Sequence, residues 1–387
     1  MSRYRWVVLG LGMTAQAAFA AIFQGLPAIG PAIRTEFGLS LPGFGAMLGA
    51  MTLGATVSLV PWGLLIDRMG ERWPLAAGIA VCGLALWLGT GGEAGALAVG
   101  LLGVGAFGAV ANVASGSAVA GWFGPAERGL ALGIRQAAVP LGGAVAAVAL
   151  PPLVAGRDPR AGLVVLAIVC GIVGVACAAG VRDAGARPKE RGGGPFRDRR
   201  LWRLALASSL LVASQISVIG FVAIFLHDER AFTDVAAGVS LAAIQVAGIG
   251  VRIGVGRWSD RLALRLGPLR RMALAMGASW LVVPLLLDAP DPVLVSALVV
   301  AGTLSFGWNG LSFTAAAELA TAGRSASAIA LQQTALFASA AIAAPLFGGI
   351  VSATGWRVAF WALAVGPLIA WGLLATLART ELDRSPV

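Results

Sequence analysis

Long apolar stretches alternate with short polar segments along the whole chain. Each stretch contains about 18 residues or more, the length that a helix needs to cross the hydrocarbon core of a bilayer. A backbone in hydrocarbon must form its hydrogen bonds within its own segment, so each stretch predicts a helix. The twelve predicted spans cover residues 6–29, 42–66, 73–91, 95–120, 129–154, 161–180, 202–226, 235–256, 269–287, 293–317, 325–350 and 356–378.

The composition agrees with this pattern. Of the 387 residues, 58% are hydrophobic and 12% are Asp, Glu, Lys or Arg, whereas a soluble domain has about 25% of charged residues. The chain is also too apolar for disorder. The sequence therefore predicts an all-α integral membrane protein. Its net charge of +10 lies mainly in the short polar segments, so it fits membrane orientation and predicts no nucleic-acid partner.

Basic residues are distributed unequally between the two sides of the predicted membrane. One side carries 21 of the lysines and arginines and the other side 5, while Arg135 and Arg252 fall inside spans. Loops on the cytosolic side carry the excess of basic residues in membrane proteins. We therefore expect a multi-pass protein of the cytoplasmic (inner) membrane with both termini in the cytosol.

One long polar segment, at residues 182–203, separates the first six spans from the last six. It is rich in glycine and basic residues, as a flexible linker would be. We expect a six-helix bundle over residues 1–181, a cytosolic linker over 182–201 and a second six-helix bundle over 202–387.

The two halves repeat one another in detail. Asp67 recurs 193 positions later as Asp260, and Asn112 is matched by Asn309. A parallel repeat of six spans is typical of transporters whose halves rock about a site near the midplane of the membrane.

The loops after spans 2 and 8 carry one motif twice, as Gly63-x-x-x-Asp67-Arg68-x-Gly70-x-Arg72 and Gly256-x-x-x-Asp260-Arg261. With twelve spans and a central linker, these motifs resemble the major facilitator superfamily across essentially the whole chain. The resemblance implies two pseudo-symmetric six-helix bundles. One departure is Glu71, where the family usually has a basic residue, and we expect it to weaken the charge network of that loop.

We expect these loops to form a gate on the cytosolic side. The glycine admits a neighbouring backbone, and the carboxylate four residues later can bind a basic side chain or a helix N-terminus. Glu318 is the expected partner of Arg257 or Arg261. In the alternative interpretation, the two aspartates only cap their loops. The candidate gating residues are Gly63, Asp67, Arg68, Arg72, Gly256, Asp260, Arg261 and Glu318.

Arg135 and Arg252 are the strongest candidates for a binding site. Each lies ~10 Å or more inside a span at 1.5 Å per residue, and no Asp or Glu lies deep in a span to neutralise it. An unpaired buried guanidinium is costly, so a carboxylate on the solute could pair with it. Alternatively, Arg252 reaches the interface or bonds to main-chain carbonyls. The pattern Arg252-x-x-x-Gly256-x-x-x-Asp260 resembles span 8 of monocarboxylate, oxalate–formate, nitrate and cyanate porters, which implies that an arginine at this place engages the anion. The resemblance to the major facilitator superfamily implies that spans 5 and 8 adjoin.

Other polar residues share helix faces within the spans. In the resembled family, spans 1, 4, 7 and 10 line the central cavity, which makes such positions candidate solute contacts. The alternative is interhelical hydrogen bonding without a role in binding. The complete candidate binding set is Arg252, Arg135, Gln136, Gln16, Gln245, Asn309, Trp308, Gln332 and Asn112.

The sequence thus predicts a secondary active or facilitative transporter that moves a small, carboxylate-bearing anion by alternating access. It predicts a monomer in the lipid bilayer, without cofactor or metal, and not an enzyme. Two alternatives remain: efflux of a hydrophobic drug or sugar-like compound, and a membrane sensor that has lost transport.

Overall fold

A computed structural model describes residues 3–123, 125–183, 198–262, 264–320 and 325–382. Within these residues, twelve helices are long and apolar enough to cross a membrane. They confirm the twelve predicted spans, here called TM1 to TM12. Their bounds are Tyr4–Glu36, Leu41–Met69, Arg72–Thr90, Ala94–Trp122, Pro125–Val154, Arg160–Gly180, Arg199–Arg230, Asp234–Leu262, Leu266–Leu286, Asp291–Leu319, Ser325–Thr354 and Trp356–Leu382.

The spans pack as two six-helix bundles. In the first, TM1 packs on TM5, TM3 on TM6 and TM2 on TM4; in the second, TM7 packs on TM11 and TM12, and TM9 on TM12. TM2 meets TM11 and TM5 meets TM8 across the contact between the bundles. The adjacency of TM5 and TM8 confirms the expectation from the family resemblance. Most of the predicted linker lies outside the described residues, so its boundaries stay a prediction.

Two spans are broken near their middle, which the sequence did not predict. TM4 consists of the helices Ala94–Gly108 and Val110–Trp122, and TM10 of Asp291–Leu304 and Asn309–Leu319. In TM10 the break is a tight turn, with Phe306 N donating to Thr303 O at 3.0 Å. A break of this kind frees main-chain carbonyls that need another donor inside a membrane.

Glycines bring TM2 and TM11 into main-chain contact. A Cβ at Gly45 would lie 2.5 Å from the carbonyl oxygen of Ala344, and one at Gly49 would lie 2.5 Å from that of Ala341. Larger residues at these positions would push the helices apart, because a backbone carbonyl has no rotamer by which to move away. Close approach through small residues is the main source of helix association in lipid.

The bundles are closed at one face of the membrane. Here the face with both chain ends is called the terminal face and the other the opposite face. At the opposite face, Arg34 Nη1 on TM1 lies 2.6 Å from Asp228 Oδ2 on TM7. The rings of Phe44 and Phe221 meet edge to face, with centroids 6.2 Å apart. TM1, TM2 and TM7 thus seal this face by an ion pair and an aromatic contact.

At the terminal face, the two motif glycines are uncovered. No described atom outside its own helix lies within 4 Å of the position that a Cβ would take at Gly63 or at Gly256. The expected approach of a neighbouring backbone at these glycines is therefore absent in this state. Among the described residues, the bundles thus meet at the opposite face, while the two motif glycines at the terminal face stay uncovered.

Carboxylates cap the starts of TM3 and TM9 at the terminal face. Asp183 Oδ1 accepts from the main-chain N–H groups of Glu71 (2.6 Å) and Arg72 (2.9 Å). Glu381 accepts from Arg265 N (2.6 Å) and Gly267 N (3.0 Å), and also from the amide between them. Glu381 lies at the end of TM12 and Asp183 lies three residues after the end of TM6, so the capping repeats in both halves. In each case the negative charge interacts favourably with the helix dipole.

We expect Gly49→Val to destabilise the protein by about 1–3 kcal/mol, because the new side chain would overlap the Ala341 carbonyl. The measurement is thermal unfolding of the purified protein in detergent. Gly10→Val is the matched control, since Gly10 is exposed and has nothing within 4 Å of a Cβ. Equal unfolding temperatures for the two variants would show that TM2 and TM11 do not pack as described.

Candidate solute-binding site

Four polar side chains lie at one depth in the membrane. Arg135 on TM5, Arg252 on TM8, Asn112 on TM4 and Asn309 on TM10 each lie ten positions from the helix end at the terminal face. At 1.5 Å per residue this is ~15 Å inside. These four residues are called the polar layer. It contains both embedded arginines and the pair of asparagines that the internal repeat relates.

Arg135 is held by three neutral acceptors. Its Nε donates to Ser115 Oγ at 2.7 Å, its Nη1 to Gln136 Oε1 at 3.2 Å and its Nη2 to the main-chain oxygen of Asn112 at 2.6 Å. The residue is 8% exposed. Every nitrogen of this guanidinium therefore has a protein partner, and the side chain is fixed against TM4.

Gln16 joins this network from TM1. Its Nε2 donates to Asn112 Oδ1 at 3.0 Å and lies 3.4 Å from Gln136 Oε1. Its own Oε1 is buried without a hydrogen-bond partner among the described residues. TM1, TM4 and TM5 are thus joined by side-chain hydrogen bonds around Arg135, and one strong acceptor remains unused.

Arg252 is held less completely. Its Nε donates to the main-chain oxygen of Phe306 at 3.0 Å, in the break of TM10, and its guanidinium carbon lies 5.4 Å from the centre of the Phe306 ring. Its Nη1 and Nη2 form no hydrogen bond within the described part of the chain. The expected alternative of bonding to a carbonyl is confirmed for Nε, while two donors stay available.

Neither arginine has an acidic partner. No carboxylate of the described residues lies within 4.0 Å of Arg135 or Arg252. Removing a positive charge from water without a counter-ion costs several kcal/mol. Hydrogen bonds to neutral oxygens reduce this cost only in part, so the polar layer is an electropositive region that favours an anion.

Two of the predicted contacts lie inside the second bundle. Gln332 Nε2 donates to Ser208 Oγ at 3.0 Å and also to Ser312 Oγ, and all three side chains are buried. Trp308 is buried, and its indole N–H has no partner in the described structure. The Gln332 contacts agree with the alternative in which such polar groups hold helices together, whereas Trp308 forms no side-chain hydrogen bond among the described residues.

Asn309 lies beside this cluster. Its Nδ2 reaches Gln215 Oε1 on TM7 at 3.5 Å, and its Oδ1 is buried without a partner among the described residues. The weak hydrogen bond and the unused acceptor leave Asn309 freer to bind a solute than Gln332 is.

Gln245 is wedged between the bundles and does not face an open chamber. It is fully buried, and its Oε1 occupies the space that a Cβ at Gly143 on TM5 would fill. Its Nε2 lies 3.5 Å from the main-chain oxygen of Gln24 on TM1. The side-chain oxygens of Gln24 and Gln245 are both buried, without partners in the described chain.

The second gate motif forms a network around Arg265, which is not among the residues predicted from the sequence. Arg265 Nη1 lies 2.5 Å from Asp260 Oδ1, and its Nε lies 3.1 Å from Glu318 Oε1. The expected pairing of Glu318 with Arg257 or Arg261 was wrong, because Glu318 binds Arg265 instead, and the side chains of Arg257 and Arg261 are exposed near the end of TM8. The internal repeat contains the signal, since Arg265 lies 193 positions after Arg72.

The first gate motif differs from the second. Arg72 Nε donates to Ala178 O at 2.8 Å, and its guanidinium covers the Trp73 ring at 4.8 Å. Glu71 is buried and accepts from Ser117 Oγ on TM4 at 2.8 Å. The unusual Glu71 thus ties TM3 to TM4. Arg68 is exposed, and the side chain of Asp67 lies outside the described ones.

Comparison with known proteins identifies relatives along nearly the whole chain. The family model described as Major Facilitator Superfamily matches residues 9–344. Two strains of Mycobacterium tuberculosis, H37Rv and CDC 1551, each have an uncharacterized MFS-type transporter that is 31% identical over 405 aligned residues. The alignment covers 99% of this chain and 88% of the relative.

Solved structures share the fold. A bacterial homologue of the human lysosomal transporter Spinster, in an inward-facing and unoccupied conformation, aligns over 100% of both chains with a TM-score of 0.83 and 16% identity. A variant of the nucleoside transporter NupG aligns over 97% of this chain and 99% of its own, with a TM-score of 0.72 and 14% identity. These identities support the fold alone.

We expect Arg265→Gln to lower the free energy of unfolding by about 1–2 kcal/mol, because two partly exposed ion pairs are lost. Arg261→Gln is the control, since that exposed side chain has no acidic partner among the described residues. Chemical or thermal unfolding in detergent measures both. A larger loss for Arg261→Gln than for Arg265→Gln would favour the original pairing.

Proposed function

Because the chain belongs to the Major Facilitator Superfamily, we propose that it moves a small, carboxylate-bearing anion across the membrane by alternating access. That it is a multi-pass membrane transporter of this family follows from the family match and the twelve spans. The proposal adds the charge class of the solute and the residues that bind it.

The single observation that carries the proposal is the state of Arg252. Its positive charge lies ~15 Å inside the membrane, without a carboxylate partner in the described chain, and two of its nitrogens are unused. A guanidinium offers paired donors whose spacing matches a carboxylate. A solute carboxylate would supply both the missing charge and the missing acceptors, so Arg252 is the proposed primary contact.

Arg135 has a second role in this proposal. Its three nitrogens are already bonded to Ser115, Gln136 and Asn112, so it contributes a fixed positive field and shapes the amide groups beside it. We propose that the neutral part of the solute forms hydrogen bonds with the side-chain amides of Gln16, Asn112 and Gln136. We assign Gln332 and Trp308 a structural role, and Gln245 a role in closing the path.

The closed opposite face and the uncovered glycines Gly63 and Gly256 at the terminal face support an inward-facing state, with the termini in the cytosol as the count of basic residues predicts. The only histidine in the sequence, His227, lies at the opposite face, 3.0 Å from Asp228 Oδ1. With neither a histidine nor a carboxylate in the polar layer, we propose exchange or facilitated transport, or symport in which a solute–arginine pair carries the proton.

A second candidate solute is a neutral polar compound. The amide groups of Gln16, Asn112, Gln136 and Asn309 could bind such a solute without any charge, and two of them have an unused buried oxygen. In this alternative, the arginines would serve only to hold the broken spans.

Counterflow in proteoliposomes, with labelled carboxylates and neutral solutes, tests the proposal. We expect Arg252→Gln to reduce carboxylate counterflow at least tenfold. Arg252→Lys should reduce it substantially, because an ammonium keeps the charge but lacks the paired donors. Thermal unfolding checks that both variants are folded.

Arg357→Gln is the control, since Arg357 pairs with Asp288 at the opposite face, and transport should persist. Carboxylate counterflow that survives in both Arg252 variants would overturn the binding role. Selective counterflow of a neutral solute, unaffected by Arg252→Gln, would favour the second candidate.

A further inference from the structure

Two adjacent arginines at the start of TM9 rest on tryptophan rings of the neighbouring spans. The guanidinium carbon of Arg270 lies 4.8 Å from the ring centre of Trp371 on TM12, and that of Arg271 lies 5.5 Å from the ring centre of Trp258 on TM8. Consecutive helical residues point ~100° apart, so the pair reaches both sides of TM9. These four residues are called the arginine–tryptophan rim.

The acids near the rim are already engaged. Asp260 and Glu318 bind Arg265, and Glu381 caps the start of TM9 through main-chain amides. Within the described residues, neither Arg270 nor Arg271 has a carboxylate partner; Arg270 makes one long hydrogen bond, to the Trp371 carbonyl at 3.3 Å. Among the described residues, the rim therefore presents two positive charges with no fixed counter-charge.

Most arginines at the opposite face are paired with acids. Four of the five there, Arg34, Arg160, Arg230 and Arg357, lie within 3.2 Å of a carboxylate oxygen, from Asp228, Glu36, Asp291 and Asp288, and the fifth is Arg157. Basic residues can orient a chain in the membrane wherever they lie on the cytosolic side. Orientation therefore does not explain why these two guanidinium groups lie on indole rings. The fixed, uncompensated arrangement at the rim is one that an external anion would complete.

The position of the rim specifies which anion can reach it. Trp371 is 36% exposed, and Leu274, one turn further along TM9 from the arginines, is 41% exposed. Exposed apolar side chains on a membrane span contact acyl chains, while indoles at a span end lie at headgroup level. Trp258 is at such an end, four residues before TM8 ends at Leu262, whereas Trp371 lies eleven residues before the end of TM12 and therefore deeper in the membrane. A ligand here would have a negative headgroup beside the arginines and hydrocarbon along TM9.

We propose that the arginine–tryptophan rim binds the phosphate of an anionic glycerophospholipid from the leaflet at the terminal face. Guanidinium groups bind phosphate oxygens through paired, charge-assisted hydrogen bonds. Basic sites between spans bind anionic headgroups on the same principle. The indoles hold both arginines in place beforehand, so less side-chain entropy is lost on binding. This inference is independent of the transported solute.

The test uses the whole protein, purified in neutral detergent and freed of lipid. Native mass spectrometry measures binding of dioleoyl phosphatidylglycerol, with dioleoyl phosphatidylcholine as the zwitterionic counterpart of equal chain length, which carries no net charge. We expect at least tenfold tighter binding of phosphatidylglycerol to the natural protein. In Arg270→Gln/Arg271→Gln the two lipids should bind within about threefold of each other.

Arg230→Gln/Arg357→Gln is the matched control, because it also removes two arginines, from the opposite face, and should keep the preference for phosphatidylglycerol. Thermal unfolding confirms that both double variants are folded. The proposal is overturned if the natural protein binds the two lipids equally or if Arg270→Gln/Arg271→Gln keeps the preference. Complete displacement of the lipid by millimolar glycerol phosphate would also overturn it, since the site would then serve a soluble phosphate.

Discussion

A positive charge buried without an acid is the constraint on which the middle of this protein depends. Arg135 and Arg252 each donate to a main-chain oxygen of a broken span, Asn112 on TM4 and Phe306 on TM10. The bond to Phe306 lies in the break of TM10 and satisfies part of the guanidinium and part of the backbone at once, whereas Asn112 lies inside the second helix of TM4. Both the guanidinium and the backbone need such partners in hydrocarbon. The arginines are therefore components of the fold as well as candidate ligands, and they differ in how many donors they leave unused.

The internal repeat explains why the same devices occur twice and why they are not identical. Asp183 and Glu381 cap equivalent helices, and Arg72 and Arg265 occupy equivalent loop positions. Yet Arg265 binds two acids, whereas Arg72 binds a carbonyl and a tryptophan, and the buried Glu71 links TM3 to TM4. The two loop motifs thus occupy equivalent positions but differ in their ion pairs. The contacts that break when the transporter changes conformation therefore differ between the two bundles.

The spans and the repeat could be predicted from the sequence because hydrophobic length and motif spacing are local properties. The breaks in TM4 and TM10 could not, since glycine, serine and threonine are common inside continuous spans as well. Arg265 was missed because a loop arginine is uninformative until its three-dimensional neighbours are known. Gln245 and Trp308 looked like cavity residues on a helical projection, but burial between bundles or inside one depends on how the helices pack. Arg135 and Arg252 were found because charge inside a span is rare.

The contact of Gln24 with Gln245 has a consequence for the balance between conformations. Hiding two unsatisfied amide oxygens costs about 1–3 kcal/mol each relative to a hydrated state, so this part of the junction opposes the glycine-mediated packing of TM2 on TM11. Separation of TM8 from TM1 and TM5 would let water reach both amides and recover that energy. The unsatisfied amides thus lower the stability of the closed contact between the bundles. A transporter that alternates between conformations needs a closed contact that can open again.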